Sequence, residues 1–324
     1  MRYDDSDRES DNVEDRRSQG GGGGFRFPGS GGGGFQIPMG RGGGGFSITT
    51  LLIIGAIMLL FGLNPLDLLR GGSGGGFNFP DLPQNQRIDR SPGGSPFELP
   101  GRGAPQASPS EEEAAKFIRR VLADTEDVWK RIFQSFGRKY EEPRLVMFRQ
   151  ATNSGCGTGL AQMGPFYCPL DKKVYLDLSF FNELSRRFGA PGDFAQAYVV
   201  SHEVGHHVQM LLGIAEKVQA AKQRMSERQA NALQVKMELQ ADCFAGVWAS
   251  LAHQLKNRLQ PGDVEEGLRA ASAIGDDMIQ KQTQGRVVPE AFTHGSSEQR
   301  VRWFRRGLES GQIQQCDTFN ASDL

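Results

Sequence analysis

The sequence has no excess of charge of either sign, and it is poor in histidine and cysteine. Its 324 residues contain 37 lysines and arginines against 38 aspartates and glutamates, so the formal net charge is −1. The chain therefore lacks the basic excess that attracts nucleic acid and the acidic excess of a solvating tail, and we expect no nucleic-acid partner. The 16 prolines and the aperiodic glycines also exclude a collagen-like chain.

Apolar residues are scarcest at the amino end of the chain. Residues 1–19 hold seven acidic side chains and four arginines, and three GGGGF repeats follow before residue 47. Such a stretch buries too little apolar surface to offset the entropy lost on ordering. The composition predicts a disordered, acidic and glycine-rich tail over residues 1–45.

One uncharged segment interrupts the polar and glycine-rich part of the chain. Phe46–Leu63 contains no charged residue over 18 positions, and Asn64-Pro65 ends it. As a helix it would be about 27 Å long, close to the thickness of a thin bilayer. The flanking glycine-rich sequences disfavour a buried core helix. We therefore predict a transmembrane helix at 46–64, followed by a Gly/Pro-rich linker at 65–109.

Arginines before residue 46 favour a cytoplasmic amino end, so the rest of the chain is expected on the periplasmic or extracellular side. All the cysteines follow the apolar segment, which suits disulfides in an oxidising compartment. Cys156 and Cys168 are near enough for a local bridge, which leaves Cys243 with Cys316. Four buried, reduced thiols are the alternative. A zinc site built from sulfur is disfavoured because no CxxC occurs.

Residues 110–324 are long enough for one domain with a sizeable core. Apolar spacing predicts a small sheet followed mainly by helices, which is an α+β fold. The predicted strands cover 144–149 and 173–180. The predicted helices cover 111–135, 193–212, 216–257, 263–284 and 297–309.

The motif that carries chemistry is HExxH, at His202-Glu203-Val204-Gly205-His206. Residues four apart on a helix share a face, so the imidazoles of His202 and His206 converge on one point. This spacing is that of a zinc site in which the glutamate acts as a general base. The sequence therefore predicts that these two histidines bind Zn²⁺.

A catalytic zinc ion needs a third protein ligand and one open position. Glu238 and Asp242 lie four apart in the next long helix, so Glu238 is the predicted third ligand. Asp242 would accept a hydrogen bond from the second nitrogen of a ligand histidine. His207 points about 100° away from His206 and has a predicted structural role. His253 lies about 22 Å beyond Glu238 along a continuous helix, which is too far.

The segments HEVGHH and MELQADCFAG resemble glutamate-type zincins, the metallopeptidases with HExxH and a later ExxxD. The resemblance extends over nearly the whole chain to the bacterial, membrane-anchored family called "putative neutral zinc metallopeptidase". It implies a zincin-like fold with His202, His206 and Glu238 as metal ligands. It also implies that Glu203 is the catalytic carboxylate and that Asp242 supports a ligand.

Zinc would activate a water molecule, and Glu203 would take its proton and pass it to the leaving amine. His294 is the candidate donor to the developing oxyanion, with a structural role as the alternative; Tyr198 and Tyr175 are weaker candidates. The segment KVYLDLSF resembles the zincin edge strand, beside which an extended peptide could pair.

These observations predict a membrane-anchored zinc endopeptidase that acts on peptides or unfolded proteins. The main alternative is a non-proteolytic, membrane-tethered scaffold or binding protein stabilised by zinc, and a zinc hydrolase of other amides is a weaker one. The intact Glu203 favours the enzyme, because a structural zinc site needs no base there. Arginines 300, 302, 305 and 306 form a basic set that is either solvated, paired with acidic core groups or bound to anionic lipid.

Overall fold

The computed structural model describes residues 1–19 and 108–324 of the chain. As predicted, helices dominate in these residues and a small sheet accompanies them. The strands are β1 (Val13–Asp15), β2 (Arg144–Phe148), β3 (Ala151–Ser154), β4 (Gly157–Leu160), β5 (Phe166–Cys168) and β6 (Lys173–Asp177). The helices are α1 (Pro109–Ser135), α2 (Ser179–Arg186), α3 (Asp193–Leu211), α4 (Ile214–Lys222), α5 (Glu227–Lys256), α6 (Asp263–Ala273), α7 (Asp276–Gln284) and α8 (Ser297–Ser310).

The expected fold class needs a correction in its membrane-spanning part. None of the helices in residues 1–19 and 108–324 is both long enough and apolar enough to cross a bilayer. The segment 46–64, which we predicted to be a transmembrane helix, lies outside the described residues, as does nearly all of the predicted linker at 65–109. The fold class is therefore that of a mainly helical domain with a small sheet.

The first nineteen residues are folded onto the domain, which corrects the prediction that this part of the tail is disordered. Strand β1 pairs in parallel with β2, with Val13 opposite Leu145. The side chain of Arg17 is buried and forms an ion pair with Glu112. The prediction from composition was wrong because it assumed solvated charges, whereas charged residues of this segment form ion pairs with residues of the domain. Residues 20–45 lie outside the described part of the chain.

The main sheet has the strand order β1-β2-β6-β5, with β5 antiparallel to its neighbour and the other pairs parallel. The prediction that KVYLDLSF is an edge strand is wrong, because β6 lies between β2 and β5. Val174, Tyr175 and Leu176 are all buried, as expected of a strand covered on both faces. The segment also stops being a strand at Asp177, and α2 begins at Ser179.

Two predicted helices are each divided by a cap. The helix predicted at 216–257 is two helices, α4 and α5. The second begins at a capping box, in which the side chain of Ser226 accepts from the backbone amide of Gln229 and the backbone amide of Ser226 donates to the side-chain oxygen of Gln229. The helix predicted at 263–284 is α6 and α7, separated at Gly275. The capping pair Ser296 and Gln299 begins α8 in the same way as α5.

Helix α5 packs against α3 on one side and against α8 on another at unusually short range. A Cβ atom on Gly205 of α3 would lie 3.1 Å from the carbonyl oxygen of Ala241 on α5. A Cβ atom on Gly307 of α8 would overlap the carbonyl oxygen of Cys243, also on α5. Glycine at these points lets the backbones of each helix pair approach closely.

Two disulfides cross-link the domain, in the pairing expected from the sequence. Cys156, in the turn between β3 and β4, is joined to Cys168 of β5. Cys243 of α5 is joined to Cys316 in the short turn Ile313–Cys316. The second bridge begins one residue after Asp242, so it ties the carboxyl-terminal segment to the part of α5 that carries the predicted site.

Candidate active site

Helices α3 and α5 bring His202, His206 and Glu238 together. One carboxylate oxygen of Glu238 lies 3.3 Å from Nε2 of His202 and 3.4 Å from Nε2 of His206. The histidines share one face of α3 because they are four residues apart. Ala241, at the close contact with Gly205, is less than one turn from Glu238 along α5, which places the carboxylate opposite the two rings.

The three side chains match the donor set of a catalytic zinc site. Two imidazole nitrogens and one carboxylate oxygen are ligands that zinc takes when a fourth position stays open. Tetrahedral ligands at 2.0–2.1 Å from a metal lie about 3.3–3.4 Å apart, close to the separations found here. Among the described residues, these three also form a group whose ligand atoms all lie within 4.8 Å of one another.

The orientation of His202 is set by Asp242. Nδ1 of His202 lies 2.8 Å from the carboxylate of Asp242, one turn after Glu238 on α5. Asp242 also accepts hydrogen bonds from the hydroxyl of Tyr198 and from two nitrogens of Arg300. With its Nδ1 hydrogen donated to a carboxylate, the ring presents the Nε2 lone pair to the metal position.

The orientation of His206 is set by a chain of amide side chains. Nδ1 of His206 lies 2.9 Å from Oε1 of Gln209. The Gln209 amide nitrogen donates to the carbonyl oxygen of Met237 and to Oε1 of Gln240. The amide nitrogen of Gln240 in turn donates to the carbonyl oxygen of Cys316. Because a carbonyl oxygen can only accept, these bonds leave Oε1 of Gln209 as an acceptor, and His206 must carry its hydrogen on Nδ1.

Glu238, the predicted third ligand, is supported in a similar way. The carboxylate oxygen of Glu238 that faces away from the histidines accepts a hydrogen bond of 2.8 Å from the side-chain amide of Gln234. Gln234 accepts one of 2.7 Å from the ammonium group of Lys222 on α4. Each ligand therefore has a partner that fixes which atom it presents.

The electrostatics of the site favour positive charge at the point where the ligands meet. Burial alone would lower the pKa of His202, but the carboxylate of Asp242 and the hydrogen bond with Glu238 raise it to about 9. Burial alone would raise the pKa of Glu238, but the two histidines bring it well below its usual range. A metal ion that binds here would therefore displace a proton from His202.

Glu203 lies beside the ligand group. It follows His202 directly on α3, and 9% of its surface is exposed. Burial alone would lower the pKa of His206, but the carboxylates of Glu238 and Glu203 raise it. Glu203 is thus close enough to the ligands to interact with them electrostatically.

His294 is near the site and open to solvent. Its ring is 52% exposed, and Nδ1 lies 3.1 Å from a carboxylate oxygen of Asp276 at the start of α7. His294 is also among the positive groups that lower the pKa of Glu238, after burial, which acts in the opposite direction, and the two ligand histidines. The two tyrosines are placed differently, because Tyr198 is buried on Asp242 and Tyr175 donates to Asp171.

His207 and His253 lie outside the ligand group. His207 donates from Nε2 to the carbonyl oxygen of Glu141, and its Nδ1 accepts from the hydroxyl of Tyr167 on β5. Burial lowers its pKa to about 4, so it is neutral at pH 7. His253 accepts a hydrogen bond from the amide of Leu259 near the end of α5. Both residues have structural roles.

A second group of three carboxylates occurs among the described residues, formed by Asp193, Asp263 and Glu266. The α-ammonium group of Met1 lies 2.6 Å from Asp193 and 3.1 Å from Asp263. This ammonium group already pairs with two of the three carboxylates, and the group contains no histidine.

Sequence reasoning missed the residues that support the ligands. Gln209 and Gln234 were not singled out, although each is close to a ligand along its helix. Arg300 was grouped with the basic residues of α8, but its side chain is fully buried against Asp242. Arg302, by contrast, pairs with Glu298 and Asp323 at the surface. Helical spacing could have separated Arg300 from the exposed arginines, since Trp303 and Phe304 share its buried face.

Comparison with known sequences agrees with this geometry. The family described as "Putative neutral zinc metallopeptidase" matches residues 1–319. "Uncharacterized protein YpfJ" of Escherichia coli K12 is 47% identical over 315 residues, covering 97% of this chain and 98% of that protein. "Uncharacterized protein Rv2575" of Mycobacterium tuberculosis is 42% identical over 226 residues, covering 65% of this chain and 74% of that protein. No solved structure matches.

Proposed function

Because the chain belongs to the putative neutral zinc metallopeptidase family, we propose that it is a zinc-dependent endopeptidase that hydrolyses bonds in peptides or unfolded proteins. The observation that carries the proposal is the convergence of His202, His206 and Glu238, with the carboxylate of Glu203 on the same helix. A site that only stabilised the fold would need four protein ligands and no adjacent base.

In this mechanism His202, His206 and Glu238 hold the zinc ion. When bound, zinc lowers the pKa of a water molecule and polarises the scissile carbonyl group. Glu203 accepts the proton of the attacking water and delivers it to the leaving amine nitrogen. Asp242 and Gln209 keep the two histidine rings in the tautomer that leaves Nε2 free for the metal.

His294 serves as the donor to the developing oxyanion. Two features support this role: its ring is exposed, and it interacts electrostatically with Glu238. Asp276 accepts hydrogen bonds from the backbone amides of Thr293, His294 and Gly295 as well as facing the ring. A ring held in place before the reaction stabilises a developing charge without the cost of reorganisation.

The substrate backbone lies extended beside β5. Among the described residues this strand is at the edge of the sheet, which is where an extended peptide can pair by strand addition. It is also next to the metal-binding helix, since Tyr167 of β5 is hydrogen-bonded to His207, the residue after His206. An extended, unfolded segment suits such an edge better than a folded protein does.

The domain works in an oxidising compartment, on the periplasmic or extracellular side. The two disulfides support this location, because such bonds are rare in proteins that stay in the cytosol. Neither the composition nor the site offers a partner role for nucleic acid, so the proposal contains none.

A comparison of three forms of the full chain tests this function: the parent, Glu203→Gln, and the control Glu216→Gln, which changes an exposed glutamate of α4. Zinc content and cleavage of unfolded proteins are measured for each form. We expect equal zinc in all three forms and a rate at least about 10²-fold lower for Glu203→Gln alone, because it lacks the base.

The other outcomes are informative as well. Zinc in all three forms with no cleavage of any unfolded protein would instead support a non-proteolytic, zinc-stabilised scaffold. A parent chain that binds no zinc would overturn both interpretations. Equal loss of activity in Glu203→Gln and Glu216→Gln would remove Glu203 from the mechanism.

A further inference from the structure

Arg300 is a buried cation that is separated from the proposed metal ligand His202 by the side chain of Asp242. It lies on α8, it is 1% exposed, and it contacts both carboxylate oxygens of Asp242, each at 2.9 Å. Asp242 is itself fully buried and receives Nδ1 of His202. The contacts from Arg300 to Asp242 and from Asp242 to His202 therefore connect helix α8 to the site.

Three side chains surround the carboxylate of Asp242. One oxygen accepts from the hydroxyl of Tyr198 and from Nη2 of Arg300 and faces Nδ1 of His202, and the other accepts from Nε of Arg300. The guanidinium group thus contacts both carboxylate oxygens and holds the carboxylate against the ring of His202.

Arg300 also sets the direction of the neighbouring hydroxyl group. Its Nη2 donates to the hydroxyl oxygen of Tyr198 at 3.2 Å, so that oxygen is already an acceptor and its hydrogen is available for Asp242. A guanidinium group cannot accept a hydrogen bond. The contacts of Arg300 with Asp242 and Tyr198 therefore favour Asp242 as an acceptor, and Nη2 of Arg300 also lies 3.4 Å from Nδ1 of His202.

This arrangement decides the tautomer of His202. Facing an ionised carboxylate, the ring must carry hydrogen on Nδ1, which leaves Nε2 for a metal. Whatever holds the carboxylate of Asp242 against Nδ1 thus holds the ring of His202 with Nε2 directed at Glu238, where the predicted ligands meet.

We propose that Arg300 is a positioning residue of the metal site, which acts through Asp242 to hold His202 in the orientation and tautomer that bind the metal. The proposal rests on the proposed function, since it assumes that His202, His206 and Glu238 bind zinc. It assigns to α8 a part in metal binding, although α8 supplies no ligand.

The surroundings of Arg300 fit this role because they fix its position. Its Nη1 donates to the carbonyl oxygen of Ile274, between α6 and α7, at 3.2 Å. Helix α8 is held against α5 by the close approach at Gly307. The guanidinium group therefore has little freedom to follow a displaced Asp242.

Another buried arginine provides a matched control. Arg258 is 5% exposed and forms ion pairs with Asp124 and Asp7. None of these residues contacts a metal ligand in the described hydrogen bonds. Removing either arginine takes a cation from a buried carboxylate, Asp242 or Asp124, although Asp124 keeps its ion pair with Lys256. Both changes are expected to destabilise the fold, and only the change at Arg300 is expected to affect the metal.

The test is the zinc affinity of the full chain, measured by competition with a chromophoric chelator after metal removal. The variants are Arg300→Met, Arg300→Lys, Tyr198→Phe and the control Arg258→Met, each checked for folding by circular dichroism. We expect zinc affinity to fall about 10- to 100-fold in Arg300→Met. It should fall less in Arg300→Lys and Tyr198→Phe, and Arg258→Met should bind zinc like the parent.

If Arg300→Met does not fold, the milder variants decide. Parent-like zinc affinity in folded Arg300→Lys and Tyr198→Phe would then overturn the proposal, as would parent-like affinity in a folded Arg300→Met. An equal loss in Arg258→Met would show that stability, and not position, controls affinity, and would also overturn it. A parent that binds no zinc would mark the failure of the proposed function itself.

Discussion

The two histidines proposed as ligands lie four residues apart on one helix, but different groups support them. His202 faces a carboxylate whose charge is balanced by Arg300. His206 faces the neutral amide of Gln209, whose direction is fixed by main-chain carbonyl groups. The ionic support gives a stronger hydrogen bond, but it needs a second buried charge. The neutral support is weaker and leaves no charge to balance.

The largest effect is expected from removal of the ionic support. Asp242→Ala takes the acceptor from His202 and leaves the guanidinium group of Arg300 buried without a partner. We expect zinc affinity to fall about 100-fold. The free energy of unfolding should fall by about 3–5 kcal/mol, because an isolated buried charge is costly. Chelator competition and denaturant unfolding measure the two quantities. A zinc affinity in Asp242→Ala no lower than that of Gln209→Leu would contradict the comparison.

The dependence of zinc affinity on pH should include a contribution from His202. Its pKa is raised to about 9, so at pH 7 the ring carries a proton that zinc must displace. Because this proton competes below pH 9, zinc affinity should rise by at least about tenfold per unit from pH 7 to pH 9. Burial lowers the pKa of His206, but Glu238 and Glu203 raise it above its usual value, and any proton on that ring adds to the slope. Chelator competition at several pH values measures the slope. A flat profile in the parent would count against this account.

Removal of the neutral support should have the smallest effect. Gln209→Leu takes the acceptor from Nδ1 of His206 but leaves no unpaired charge. We expect zinc affinity to fall by no more than about tenfold, the lower end of the range for such partners. The pH slope should be unchanged, because Asp242 still raises the pKa of His202. A flatter slope in Gln209→Leu, measured in the same titrations, would show that the two supports are not independent.

The sequence was sufficient for the parts of the site that follow from spacing along a helix. His202 and His206 are four apart, as are Glu238 and Asp242, so each pair shares a helical face whatever the rest of the fold does. That the two faces meet is a tertiary contact, and the sequence predicted it only through the chemical need for a third ligand.

The supporting residues could not be placed from spacing alone. Arg300 reaches Asp242 from 58 positions away, and Gln240 reaches Cys316 from 76 positions away. Such contacts depend on how the helices cross, which periodicity does not describe. The same limit explains the error over β6, because the order of strands in a sheet is a property of the whole topology.

The folding of residues 1–19 was missed for a different reason. A rule based on composition treats charged residues as solvated, yet Arg17 and Asp7 each pair with an opposite charge far along the chain. Such a rule has no means of recognising a partner in another segment. The composition of residues 1–19 does not include the domain residues that stabilise them.

Gly205, which lies between the two histidines of the HEVGH motif, affects the spacing of the predicted metal ligands. Metal–ligand distances tolerate changes of only about 0.2 Å. A methyl group at this position would lie 3.1 Å from the carbonyl oxygen and 3.2 Å from Cα of Ala241, so the two helices would have to separate by a few tenths of an ångström, which is comparable with that tolerance. Gly205, inside the HEVGH motif, thus sets the distance between α3 and α5. It thereby sets the gap that the carboxylate of Glu238 must cross to reach the two histidines.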